Sequence, residues 1–233
     1  MLVVADLYDS TLCEGFIPPL LKSAIVPSLP KLTPPKCIED DVRSIFLTCQ
    51  LAKVLEGFTL ARVYPSIVGN LGRNQFAVAG KSTEQALVYL LHLALEALDR
   101  GGCYLRLFFV DFKKGFDLVD PLILMEKLST KYNLHWCLLR WVASFLQGRA
   151  QVTRVGASVS TPLYLNGGIP QGTKLGPVLF AVMVNDLVQS WGACIKFVDD
   201  LTVLEVVPRN LPSLLNVVVD DIHAFAVNNN MHF

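Results

Sequence analysis

The chain has 233 residues, of which 52% are hydrophobic and 17% charged, with 20 Lys and Arg against 20 Asp and Glu. That composition is globular and excludes a disordered polypeptide. The zero net charge leaves any nucleic-acid binding to a local basic groove or to a basic domain elsewhere, since binders of nucleic acid are usually basic overall. The six cysteines form no Cys-x-x-Cys pair, and the four histidines do not flank them at zinc spacing, so the pattern fits reduced thiols in an intracellular protein, nuclear or cytoplasmic. The N-terminus lacks the basic and apolar regions of a secretion signal, and no run approaches the roughly 18 apolar residues of a membrane span. The chain is therefore expected to be neither secreted nor membrane-bound.

Residues 1–36 carry Pro18, Pro19, Pro27, Pro30, Pro34 and Pro35, which argues against continuous helix there, with a short strand at Ala24-Ile25-Val26. Ile45, Leu47, Leu51, Val54, Leu55 and Phe58 form a helical stripe over 45–61. Over 82–98 the apolar residues Ala86, Leu87, Leu90, Leu91, Ala94, Leu95 and Leu98 recur at three and four. Ser82 and Gln85 resemble a capping box, and Gly101-Gly102 ends the helix. A strand follows over 103–112, then helices over 121–132 and 135–147, and a hairpin over 152–165. A glycine-rich turn over 167–176 leads into a helix over 177–189 with Pro177 in its first turn. Strands 194–198 and 201–207 flank Asp199-Asp200, and a last helix covers 211–227. This order gives an α+β fold with helices packed on an antiparallel sheet.

The aspartates are the unusual feature. Asp199 and Asp200 interrupt an apolar strand region, and Asp111 ends the apolar run Leu107-Phe108-Phe109-Val110. Unpaired buried carboxylates are costly, and a divalent cation is the simplest counter-charge. Taken singly, each has a plain structural reading: Asp111 as a strand-end cap, Asp199-Asp200 as an exposed hairpin turn. Between them lies Gly168-Ile169-Pro170-Gln171-Gly172-Thr173-Lys174-Leu175-Gly176-Pro177. Its small residues permit close backbone approach to a ligand, and Gln171 offers an amide donor and acceptor.

Together, Phe109-Val110-Asp111 with Phe116, then the Pro170-Gln171-Gly172 loop, then Phe197-Val198-Asp199-Asp200 closely resemble the three palm motifs of reverse transcriptases, in the form carried by non-LTR retrotransposons of animal genomes. Gln75-Phe76 with Lys81-Ser82-Thr83-Glu84-Gln85-Ala86, and the segments 25–31 and 41–47, resemble the upstream blocks, so the likeness covers about 16–233. It implies fingers and an RRM-like (ferredoxin-like) palm of a right-hand polymerase. Residues 1–100 are mainly fingers, with 1–20 a lead-in; 101–233 are mainly palm, with 121–165 partly contributing to the fingers. The primer-grip hairpin, the thumb and any endonuclease domain are expected to be missing.

The resemblance implies RNA-directed DNA polymerase activity, fed by an RNA template, a DNA primer and dNTPs, in the service of retrotransposition. Asp111 and Asp199 would hold two magnesium ions, or manganese in their place, with Asp200 beside them and the Phe112 carbonyl as a further ligand. Phe116 would lie under the sugar and exclude a 2′-hydroxyl. Gln171 would contact the nucleotide, Gly172 would permit that approach, and Lys31 and Arg43 would reach the triphosphate. Plain alternatives stand beside these roles: a core ring for Phe116, solvated side chains for Lys31 and Arg43. The chain departs from the family pattern at Ser44 and Phe46, where Arg-Pro-Ile-Ser is usual, at Ala77, where glycine is usual, and at Val198, where Ala or Met is usual. A non-catalytic remnant that folds partly, or only binds nucleic acid, is the alternative reading. A metal-dependent hydrolase is a weaker one, because it leaves the Pro-Gln-Gly loop without a purpose.

Overall fold

A computed structural model describes residues 2–30, 34, 36–37, 42–44 and 46–232. The first element is a helix, α1 (Leu2–Glu14), where the sequence argued against one. All the prolines lie at 18 or beyond. Upstream of them Val4, Leu7, Tyr8 and Leu12 recur at helical spacing and pack on the core. Tyr8 lies against the Phe58 and Trp141 rings, and the Trp141 Nε1–H donates to Thr11 Oγ1 at 3.1 Å.

After a 3-10 turn (Pro19–Lys22), β1 (Ser23–Pro30) organises one sheet. It pairs antiparallel with β2 (Val42–Ser44) and β3 (Leu47–Thr48), and parallel with β5 (Arg149–Val155). β5 in turn pairs antiparallel with β6 (Ser158–Val159) and β7 (Leu163–Leu165). The expected antiparallel sheet is the second one, described below; this first sheet also holds the parallel β1–β5 pair. That pair is closed by a connection running through most of the intervening fold.

Pairing of Leu47-Thr48 with β1 also delays the next helix, α2, to Gln50–Val68. In α3 (Thr83–Arg100) the capping box is complete: Gln85 N–H donates to Ser82 Oγ, and Ser82 N–H to Gln85 Oε1. Ala86 and Leu90 face the second sheet, beside Phe76, Ile195 and Phe197. Leu87, Leu91, Leu95 and Leu98 of the expected core stripe are instead exposed.

The second sheet has the order β4-β9-β8, all antiparallel, formed by β4 (Cys103–Val110), β8 (Cys194–Phe197) and β9 (Asp200–Pro208). Its register runs from Cys103 opposite Pro208 to Val110 opposite Leu201, and the β8–β9 hairpin closes at Phe197 opposite Asp200. Between β4 and β5 lie α4 (Gly115–Leu118), α5 (Pro121–Lys131) and α6 (Trp136–Leu146).

At the centre is α7 (Gly176–Met183), every residue from Val178 to Met183 being buried. It stops short of the expected 189. Lys127 Nζ donates to Met183 O at 2.8 Å, and Lys196 Nζ to Val184 O and Asn185 O at 3.1 and 2.9 Å. Two cations thus satisfy carbonyls that a longer helix would have bonded itself. The final helix, α8 (Leu215–Asn229), begins after Glu205 accepts from Ser213 Oγ and Leu214 N–H. Among the described residues no helix is long and apolar enough to cross a membrane.

Candidate active site

Register decides where the acids stand. Val110 and Leu201 are the last cross-strand pair, so Asp111 leaves β4 beside the tip of the β8–β9 hairpin. That tip is the two-residue turn Val198-Asp199. A tight hairpin of this kind calls for positive φ at its first loop position, the usual place of glycine. Here Val198 takes it at φ 55°, a strained conformation for a β-branched residue.

Beyond Asp111 the chain turns through Lys114, at φ 53°, into α4. This places Phe116 flat against Phe180, with ring centroids 4.8 Å apart and planes 12° from parallel. The Phe112 ring meets Phe180 edge-on at 5.6 Å. Phe116 is thus half-buried on an aromatic base.

The Gly168–Gly176 loop is tied to this turn by backbone bonds from Ile169 N–H to Phe116 O (2.7 Å) and from Gly168 N–H to Val119 O (2.9 Å). Its other anchor is Glu56 of α2, buried with its Oε2 accepting from Lys174 N–H at 2.6 Å and Leu175 N–H at 3.2 Å. Burial pushes the Glu56 carboxyl up, and the two N–H donors oppose the shift. Gly172 has φ 73°, and a Cβ there would lie 2.7 Å from the Phe46 carbonyl oxygen. In this structure glycine permits a close approach to the Phe46 backbone. Gln171 donates through Nε2 to Asp117 Oδ1 at 3.0 Å.

These elements enclose a cavity of about 490 Å³ lined by Asp111, Phe112, Phe116, Gln171, Gly172 and Asp199 among others. Asp200 points elsewhere. With Asp111 it lines an apolar groove of about 440 Å³ beside Leu87, Leu90 and Phe109. Asp199 lies in the two-residue turn and Asp200 begins β9, so the hairpin tip separates the two neighbours. Burial holds the Asp200 carboxyl above its ordinary range, and the charges of Asp199 and Asp111 add to the shift. Both neighbours are thus near enough to act on Asp200.

Among the described residues no three Asp, Glu, His or Cys side chains converge on one metal position. Two carboxylates in one cavity suit magnesium, which commonly takes one or two carboxylates and completes its octahedron with water and substrate phosphate. Arg43 lies on β2 opposite Leu29; Lys31 falls outside the described residues.

Sequence reasoning missed Glu56, Asp117, Phe180 and Arg149. Glu56 carried a usable signal, a charge within the buried face Leu55, Thr59, Val63, Ile67 of α2. Arg149 is likewise buried, its pKa lowered by burial to about 10, with its guanidinium over the Phe145 ring.

The chain is 29% identical over 191 residues to a probable RNA-directed DNA polymerase from transposon BS of Drosophila melanogaster, covering 80% of this chain and 21% of that protein. It is 27% identical over 194 residues to the RNA-directed DNA polymerase from mobile element jockey of Drosophila funebris, covering 80% and 20%. The chain thus spans about a fifth of the length of these relatives. Among solved structures, apo telomerase from Candida tropicalis superposes with a TM-score of 0.66 at 12% identity, covering 98% of this chain and 47% of that one. The same telomerase in complex with a fragment of telomeric RNA gives 0.64 at 12%, covering 97% and 42%. This likeness shows a shared right-hand polymerase fold. A family model described as reverse transcriptase (RNA-dependent DNA polymerase) matches residues 30–232, and the chain belongs to that family.

Proposed function

We propose that this chain is the fingers-and-palm core of an RNA-directed DNA polymerase that joins dNTPs to a primer 3′-hydroxyl along an RNA template. The observation that carries the reading is that Asp111, at the end of β4, and Asp199, at the β8–β9 tip, line one cavity with Phe116 and Gln171. The longer relatives bear the name of that activity.

In this reading Asp111 and Asp199 hold two magnesium or manganese ions, helped by the Phe112 carbonyl, and Asp200 supports them from the neighbouring groove. Bound there, the ions supply Lewis-acid stabilisation of the transferring phosphate and activation of the primer hydroxyl. Phe116, braced on Phe180, fills the space a 2′-hydroxyl needs. Gln171 contacts the nucleotide, Gly172 keeps its loop against the fingers, and Lys31 and Arg43 meet the triphosphate. Residues to about 100 act mainly as fingers and those beyond as palm.

Primer extension on an RNA template tests this, with magnesium and dNTPs, using the chain alone and the chain joined to a thumb. Extension is expected, with Asp199→Asn reducing it about a thousandfold, the worth of several kcal/mol of charge stabilisation. Phe116→Ala is expected to admit ribonucleotides. Extension that survives Asp199→Asn overturns the metal assignment. No extension in either form leaves a non-catalytic member of the family.

A further inference from the structure

A second cavity, of about 280 Å³, lies between the first sheet and the Gly168–Gly176 loop. It adjoins the cavity of Asp111 and Asp199, with Lys114, Pro170 and Gln171 common to both. Its floor is a row across three strands. Ala24 of β1 pairs with Thr48 of β3 on one side and with Gln151 of β5 on the other. The alanine methyl leaves a notch between two polar side chains whose backbones stand roughly 9–10 Å apart, two strand spacings. Arg149, two residues before Gln151 on β5, lies on the same face and lines the same cavity.

These polar groups are short of partners. Thr48 is 6% exposed, and its Oγ1 is buried without a hydrogen bond. The Oε1 of Gln151 is likewise buried and unbonded. Arg149 is 4% exposed. Among the described residues its guanidinium makes one hydrogen bond, from Nη1 to Phe145 O at 3.0 Å, and no ion pair. Lys22 is buried near enough for the two positive charges to oppose each other. Glu56 acts on Arg149 from a distance, its Oε2 already accepting from Lys174 and Leu175 N–H. Of the other charged residues lining the cavity, Lys114 adds a cation and Asp117 an acid. A buried guanidinium with most of its N–H donors unused and no carboxylate on it is costly. One water does not meet the need, because the cavity is several times the roughly 30 Å³ that a water takes up. An oxyanion supplies what is missing. It brings negative charge and paired oxygens to the guanidinium fork and an acceptor to the Thr48 hydroxyl. A hydrogen phosphate also carries an O–H for Gln151 Oε1, which an ionised carboxylate lacks.

We infer that this cavity is a binding site for a phosphate-type oxyanion, held by Arg149, Thr48 and Gln151. Two sources share that chemistry: free inorganic phosphate, and the pyrophosphate that nucleotidyl transfer in the adjoining cavity would release. The site stands on its own residues, and only the second source rests on the polymerase reading.

The test titrates the wild-type chain with phosphate and, separately, with pyrophosphate, without magnesium and against potassium chloride at matched ionic strength. It follows the labelled Thr48 methyl signal by NMR, together with the melting temperature. Both readings are expected to saturate at the same anion concentration. Thr48→Val keeps the side-chain shape and removes a hydroxyl that bonds nothing in the free protein. It should therefore melt no lower than wild type without anion, and bind the anion about tenfold more weakly, the worth of one bond to a charged group. Arg149→Met should abolish the gain in melting temperature; should that variant fail to fold, Thr48→Val and the methyl signal decide the question without it. Equal affinity for the two anions points to free phosphate, and pyrophosphate bound tenfold or more tightly points to the reaction product; either upholds the site. A Thr48 signal that moves no further than in potassium chloride, or binding undiminished in Thr48→Val, overturns it and leaves a cavity filled with water. A chain that binds phosphate and extends no primer loses the polymerase reading and keeps the site.

Discussion

Asp199 and Asp200 share a peptide bond and little else. Asp199 lines the cavity that holds Asp111, Phe116 and Gln171; Asp200 lines the apolar groove against α3. Because Asp200 is held above the ordinary carboxylate range by burial and by two neighbouring negative charges, the folded chain binds its proton more tightly than the unfolded chain does. Its contribution to stability is therefore present at low pH and is lost as pH rises from about 4 through the raised value. Asp200→Asn removes this effect. In thermal unfolding, the variant is expected to melt above the wild type at pH 7 without metal, with the gap closing toward pH 4 and on adding magnesium. A wild type that melts higher throughout contradicts the repulsion argument. That Asp111, Asp199, Phe116 and Gln171 line one cavity was legible in the sequence, because the motifs carry those residue types in a fixed order. The facing of Asp200 was not, because it depends on hairpin register. Nor was the strain at Val198, since apolar flanks say nothing of φ.

Among the elements, those set by their own local chemistry matched their sequence signals. The Ser82–Gln85 capping box and the terminating Gly101 bound α3 within two residues of expectation. Elements decided by distant partners did not. Residues 47–48 joined β1 as a strand, and α7 ended early on two lysines from other elements. The loop before α7 likewise depends on a distant residue, Glu56. One carboxylate oxygen serves two backbone donors, so Glu56→Ala leaves the buried Leu175 N–H and the part-buried Lys174 N–H unpaired. The expected cost is about 3 kcal/mol in urea unfolding, at the upper end for bonds to a charged group. Glu56→Gln keeps one neutral acceptor and should cost about 1 kcal/mol. Primer extension should fall in the same order, because Gln171 and Gly172 ride on this loop. An alanine variant as stable as wild type would show that the loop is held by its bonds to α4 alone.

Across the whole molecule, α7 is the buried centre, packed against α2 and α5, and the sequence hid how it is held. The parallel β1–β5 pair joins segments more than a hundred residues apart, beyond any local pattern. Lys196, the one charge in the apolar run 194–198, is buried with its ammonium on the carbonyls that follow α7. Burial lowers its pKa from 10.5 to about 8, against the pull of nearby groups such as Asp186. Between those two values the unfolded chain binds more protons than the folded one, so stability should rise with pH from about 8 toward 10.5. Full relief is worth roughly 3 kcal/mol at most. Lys127, lowered chiefly by its own burial, pushes the same way. Tyr132, which burial raises to about 12, reverses the trend above pH 10. Urea midpoints at pH 7.5, 9 and 10 should therefore climb in the wild type and climb less in Lys196→Met. Equal slopes in the two proteins would mean that the Lys196 ammonium is not desolvated, and that α7 is held by packing without its help.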